Sequence, residues 1–218
     1  MKRFSNILVA LWVTVFLLIV GMKSEVGAQC PAGFTPKTIN MNVGGCIYAV
    51  DICVKCSPLG LGASEVYING GITLIPPCTS TLPFSAVVDY INSQIKNPSY
   101  MFDVLCPFKP QAPPCDGPNQ PIIVKYRSYL CWKAEVISYF GQNTLYFSTC
   151  SDDFCEEIYS VCVDGSGAYQ RTFMGTNPSS PVTPSCLLEG YQIEFPEPTI
   201  DSVGTTTPCY IYHTRCNQ

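Results

Sequence analysis

The chain has 218 residues and a formal net charge of −4, with charged side chains at only 13% of positions and hydrophobic ones at 47%. Beyond residue 28 the only close basic pair is Lys125 and Arg127, which excludes a surface built to track nucleic-acid phosphates. Fourteen cysteines stand beside a single histidine, His213; this excludes a multi-histidine metal centre and points to bridges between thiols.

The N-terminus reads as an export signal. Lys2 and Arg3 precede an apolar stretch from Ile7 to Gly21, and Val26-Gly27-Ala28 offers small residues for cleavage after Ala28. The stretch is shorter than the roughly 20 residues that a membrane span requires. Residues 1–28 are therefore expected to be a signal peptide, and the remaining chain a secreted or extracytoplasmic protein (cell surface, periplasm or extracellular) with a net charge of about −6. All fourteen cysteines follow this segment, as a disulfide framework formed in an oxidising compartment requires.

Ile39, Met41 and Val43 alternate with polar residues before Gly44-Gly45, after which Cys46 to Cys53 continues as a second strand. A two-residue turn at the glycines puts Ile39 opposite Val50 and Met41 opposite Tyr48, so that apolar side chains from both strands share one face. Cys53-Val54-Lys55-Cys56 has redox spacing, but it runs into Ser57-Pro58-Leu59-Gly60 rather than into a helix that would activate a thiolate, so it reads as structural. A zinc site would have to combine this pair with Cys150 and Cys155, whose spacing is wrong. Phe84, Val87, Val88, Ile91 and Ile95 follow helical periodicity, Pro83 suits a first turn and Asn97-Pro98 stops the run; the spacing predicts a core-packed helix over about residues 83–96.

Residues 107–121 hold six prolines and read as a linker. They separate an N-terminal disulfide-rich β lobe with one helix, residues 29–106, from a C-terminal disulfide-rich β lobe, residues 122–218. Six cysteines precede the linker and eight run from Cys115 onward, so each part can close its bridges internally. In the second part Leu130, Trp132, Ala134, Val136 and Phe140 alternate with Lys133, Glu135 and Tyr139, and Gly141-Gln142-Asn143 is expected to turn the chain into Leu145 to Cys150. Further strands are expected at Glu156–Val163, Gln170–Met174, Tyr191–Phe195 and Tyr210–Thr214, with a surface loop over Gly175–Ser185.

Asp152, Asp153, Glu156 and Glu157 flank Cys155 as the sole acidic cluster; they lack the spacing of a calcium loop and read as a solvated turn. Ser166 between Gly165 and Gly167 lacks the strand-to-helix context of a nucleophile elbow, and His213 between Cys209 and Cys216 reads as structural. Among thirteen tyrosines, Tyr126, Tyr129, Tyr139 and Tyr146 fall on or beside the second hairpin, where rings with polar tips would suit a surface that binds an extracellular protein or a carbohydrate. The fold class expected is mainly β with one packed helix, a disulfide-stabilised secreted protein with antiparallel hairpins. No catalytic residue, cofactor or metal-ligand set can be named from the residues. The reading favoured is a secreted, non-enzymatic structural or binding module; the rivals are a secreted hydrolase using carboxylates not placed by sequence, and a loop-presenting inhibitor or effector.

Overall fold

Strand-forming alternation governs most of the molecule. The computed structural model describes residues 30–57, 62–78, 82–107, 112–177, 185–188 and 203–212. The elements are β1 (Thr35–Val43), β2 (Cys46–Lys55), β3 (Ser64–Leu74), α1 (Phe84–Ile95), a π-helical turn (Tyr100–Leu105), β4 (Ile122–Tyr129), β5 (Cys131–Tyr139), β6 (Gln142–Thr149), β7 (Phe154–Val163), β8 (Tyr169–Thr176), the short α2 (Ser185–Leu188) and β9 (Tyr210–Ile211). The protein is mainly β, with antiparallel hairpins and one substantial helix, as the alternation implies. His213 and the expected strand Tyr191–Phe195 lie outside the described residues, as do residues 178–184 of the expected loop and the end of the expected strand Tyr210–Thr214.

All nine described strands join one sheet, organised around β3. β2 pairs antiparallel along β3 from Tyr48↔Leu74 to Lys55↔Glu65, and β1 extends that side. β4 runs parallel to the start of β3 at Ser64–Tyr67, whereas β6 runs antiparallel to its end at Ile72–Thr73. From there one arm continues β4-β7-β8 and the other β6-β5-β9. β3 and β4 lie on either side of the proline-rich segment in sequence, so their pairing ties strands of the two expected lobes together.

The first hairpin has the register that alternation demands, with Ile39 opposite Val50 and Met41 opposite Tyr48. Gly44 and Gly45 both take left-handed backbone, φ +61° and +87°. Such two-residue turns match strand twist and favour glycine, because an L side chain is strained there. The second hairpin turns one residue earlier than expected. Tyr139 pairs with Gln142, leaving Phe140-Gly141 as the turn instead of Gly141-Gln142-Asn143. Phe-Gly is not a sequence signature of this turn, so composition pointed to the wrong residues.

α1 buries the five residues picked out by periodicity, Phe84, Val87, Val88, Ile91 and Ile95. Each apolar side chain so buried contributes about 1.5–3 kcal/mol. Pro83 is the residue before the first helical turn rather than within it, with extended ψ of 148°. Phe84 stacks on Phe147 at 4.0 Å and meets Trp132 edge-on at 5.6 Å, so the helix, which precedes the linker in sequence, packs on the β5–β6 hairpin that follows it.

Six disulfides are described: Cys30–Cys53, Cys46–Cys78, Cys56–Cys106, Cys115–Cys162, Cys131–Cys186 and Cys150–Cys209. Cys155 is disulfide-bonded as well, and no described cysteine is free. Three close before the proline-rich segment, two close after it, and Cys115–Cys162 ties the segment itself to β7, at sequence separations from 23 to 59. Native bridges typically contribute about 2–4 kcal/mol each, so this framework makes a durable domain. No helix among the described residues is long and apolar enough to cross a membrane.

Candidate functional site

Cys53 and Cys56 belong to two separate bridges, Cys30–Cys53 and Cys56–Cys106, so the redox-spaced pair is neither a dithiol nor a bridge in itself. Cys131, Cys186 and Cys209 bring their sulfurs within 4.8 Å of one another. These atoms are already committed to the Cys131–Cys186 and Cys150–Cys209 disulfides, so none is a thiolate able to ligate zinc. Ser166 sits in the β7–β8 turn, where its hydroxyl donates to Asp164 at 2.6 Å. Asp164 also accepts the Ser166 and Ala168 amides and the Gln170 amide side chain. The hydroxyl and side-chain amide, together with the two backbone amides, hold its carboxyl down at about 2. This aspartate is a turn clasp, and the serine is its donor.

The acidic run is not a solvated turn throughout, which corrects the sequence reading. Alternation along β7 sends Glu156 and Glu157 to opposite faces of the sheet. Glu157 pairs with Lys96 at 2.9 Å and accepts the Tyr159 hydroxyl at 2.8 Å. Glu156 is only 1% exposed and accepts from Arg127 Nε at 2.7 Å, Lys125 Nζ at 3.2 Å and Asn177 Nδ2 at 3.0 Å. Burial alone would raise its pKa, but the hydrogen bonds from Arg127, Asn177 and Lys125 and the Lys125 charge outweigh it, so the carboxyl is held below its ordinary value. Asp153 turns aside to accept the Ser185 amide.

Glu156 ends an ion-pair ladder that crosses the sheet. Lys55 of β2 meets Glu65 of β3 at 3.1 Å, Glu65 meets Arg127 of β4 at 3.2 Å, and Arg127 meets Glu156 of β7. The Arg127 guanidinium lies 5.4 Å from the Tyr67 ring centroid and 5.0 Å from that of Phe154, stacked within a row of rings in which Tyr67 also meets Phe34 and Tyr129 edge-on. Burial, with the neighbouring Tyr129, pushes the Tyr67 hydroxyl up to about 12. Each carboxylate of the ladder contacts two cations. A general acid needs a carboxyl whose pKa is raised toward neutrality, and Glu156 is driven the opposite way. The ladder links β2, β3, β4 and β7 through their side chains.

The four tyrosines grouped by sequence do not share a surface. Tyr126 is 1% exposed, packed edge-on to Tyr159 at 5.6 Å, because its position on β4 faces the core. Tyr129 lies among the rings of the ladder, and the Tyr146 hydroxyl donates to the Gly70 carbonyl. Only Tyr139 reaches the hairpin tip, where it meets Phe140 edge-on at 4.7 Å.

Phe140 is the residue that reading by composition missed. Its side chain is 92% exposed, and its φ of +49° makes it the one described non-glycine residue in left-handed backbone. The strands beneath are held by the pairs Tyr139↔Gln142 to Trp132↔Thr149, so the ring is presented on a fixed base. No charged residue occurs from Val136 to Tyr146. Val203, 56% exposed, is brought beside the hairpin by the Gly204 amide, which donates to the Val136 carbonyl at 2.8 Å. The arrangement is an uncharged, aromatic projection. No family model, curated protein or solved structure matches this chain.

Proposed function

We propose that the chain is a secreted, disulfide-stabilised binding module without catalytic chemistry, and that it engages an extracellular protein through the Tyr139-Phe140 tip. The observation that carries this reading is the double cost at Phe140. Left-handed backbone costs an L residue about 1–2 kcal/mol, and asparagine or glycine would relieve it. At 92% exposure the ring's one aromatic contact is the edge-on pair with its neighbour Tyr139, which offsets only part of that cost. Backbone strain retained at an exposed position marks a site kept for contact rather than for folding. Interface hot spots are enriched in large side chains, aromatic ones among them, that seat in well-packed pockets of the partner. The absence of charge from Val136 to Tyr146 and a net negative chain favour a protein recess over an anionic membrane surface.

The test compares wild type with Phe140→Asn in two assays. In retention of extracellular proteins on the immobilised, oxidised chain, the variant is expected to lose the captured species while its folding stability rises. Capture unchanged by the substitution would refute the tip as the contact. A parallel screen against polysaccharide, ester and peptide substrates is expected to give no turnover; turnover abolished by one carboxylate substitution would replace this reading with the hydrolase.

A further inference from the structure

We infer that β8 is a self-association edge, at which a second copy of this chain pairs antiparallel to continue the sheet. Among the described residues β8 pairs with β7 alone, and Gln170, Arg171, Thr172, Phe173 and Met174 are all exposed. Phe173 is 48% and Met174 60% exposed. Exposed sheet edges are ordinarily blunted by lysine, proline, a β-bulge or inward charge. β1, at another margin of the sheet, carries Pro36 and Lys37. β8 has no lysine, proline or acidic residue, and its bulge lies beyond Phe173, which leaves Tyr169 to Phe173 regular. Its one cation, Arg171, is engaged within its own protomer, 4.7 Å from the Tyr159 ring centroid and donating to the Lys96 carbonyl.

The outward-facing backbone groups can be assigned. In an antiparallel ladder, hydrogen-bonded pairs alternate with pairs whose N–H and C=O groups point away from each other. The Asp164 amide donates to the Ala168 carbonyl, whereas Val163 bonds on its other side to Pro113 and Cys115. With Val163 opposite Tyr169, Val161 opposite Arg171 and Tyr159 opposite Phe173, the groups of Tyr169, Arg171 and Phe173 point outward from the sheet.

A two-fold pairing must match outward residues with outward residues. Arg171 opposite its own copy would set like charges face to face, which is unfavourable. Arg171 opposite Tyr169 of the second copy would leave Phe173 facing the turn and unburied. Arg171 opposite Phe173 of the second copy satisfies both demands: the cation meets a ring, and Thr172 meets Thr172 of the second copy on the symmetry axis. Met174 then covers Gln170 of the second copy. The irregularity between Ile158 and Tyr159, where β8 carries an extra residue, confines regular pairing to the stretch before Gly175. One strand pair buries less than the roughly 1,600 Å² of a standard stable interface, so association is weak and concentration-dependent.

Sedimentation of the oxidised protein from about 5 to about 500 µM reads the association directly. The apparent mass is expected to rise toward about twice the monomer value across that range. Thr172→Lys and Thr172→Glu each place like charges on the axis and are expected to remain monomeric with unchanged circular dichroism, while an equimolar mixture of the two associates. Phe140→Asn is expected to associate as wild type does. A wild type that stays monomeric throughout overturns the inference, as does Thr172→Lys associating like wild type. A mixture of the two charge variants that fails to associate overturns the Thr172-centred register.

Discussion

The hairpin β1–β2 and the hairpin β5–β6 turn through the same backbone geometry with different residues. The first uses Gly44-Gly45 at φ +61° and +87°, the second Phe140-Gly141 at +49° and +80°. At Gly44 a side chain would run into Leu82, which packs over the turn, whereas nothing lies within 4 Å of a Cβ placed on Gly45 or Gly141. The first turn is therefore built into the body of the molecule, and glycine answers both its backbone and its packing. In the second, the residue at the corresponding position, Phe140, is 92% exposed and meets the neighbouring Tyr139 ring edge-on. No core packing calls for phenylalanine there. The difference separates a residue that packing requires from one for which the proposed contact supplies the reason.

Exchanging the roles of the two turns gives the largest effect. Gly44→Phe is expected to destabilise the oxidised protein by about 3 kcal/mol, from left-handed strain plus displacement of Leu82; equilibrium denaturation in guanidinium measures it. A cost under about 1 kcal/mol would mean that the two turns are equivalent and would remove the basis of the comparison. Gly45→Val isolates the backbone contribution, since space is open there. It is expected to cost about 2 kcal/mol by the same measurement, because a β-branched residue is poorly accommodated at positive φ. Phe140→Asn is expected to act in the opposite direction, stabilising the protein by about 1 kcal/mol and raising the midpoint of thermal unfolding by about 2–4 °C. Destabilisation by this substitution would show that the Phe140 ring serves the fold after all.

The β7–β8 turn sharpens the comparison with the smallest effect. There a side chain closes the loop: Asp164 binds the Ser166 and Ala168 amides. Its carboxyl, held at about 2 against an ordinary 3.8, supports the turn fully above the ordinary value and loses that support as pH falls through about 2. Carbon-13 titration of the Asp164 carboxyl is expected to give a midpoint near 2, with the Ser166 and Ala168 amide shifts moving together with it, while the signals of the β1–β2 turn stay still. An ordinary midpoint, or amides that do not follow it, would show that the clasp does not form in solution.

The ends and buried face of α1 and the register of β1–β2 were legible from residues alone, because each rests on neighbours a few positions apart: helical spacing from Phe84 to Ile95, and glycines able to take positive φ between alternating strands. The β5–β6 turn was legible as a hairpin but misplaced by one residue, since Phe140 hides a turn that asparagine would have announced. Disulfide chemistry and its even division between Cys106 and Cys115 followed from cysteine count, yet the partners did not, because which thiols meet is settled by strands distant in sequence. The same reason hid the ladder and the fate of the tyrosines. Glu65, Arg127 and Glu156 become neighbours only when β4 lies between β3 and β7, and Tyr126 is buried only because its face of β4 turns toward the core. Local periodicity, the glycine turn of β1–β2 and the cysteine chemistry could be read along the chain, being set by short-range sterics and composition. Strand order, the pairing of charges and which aromatic side chain reaches solvent emerged with the packed sheet, since these depend on contacts whose energies leave no mark on adjacent residues.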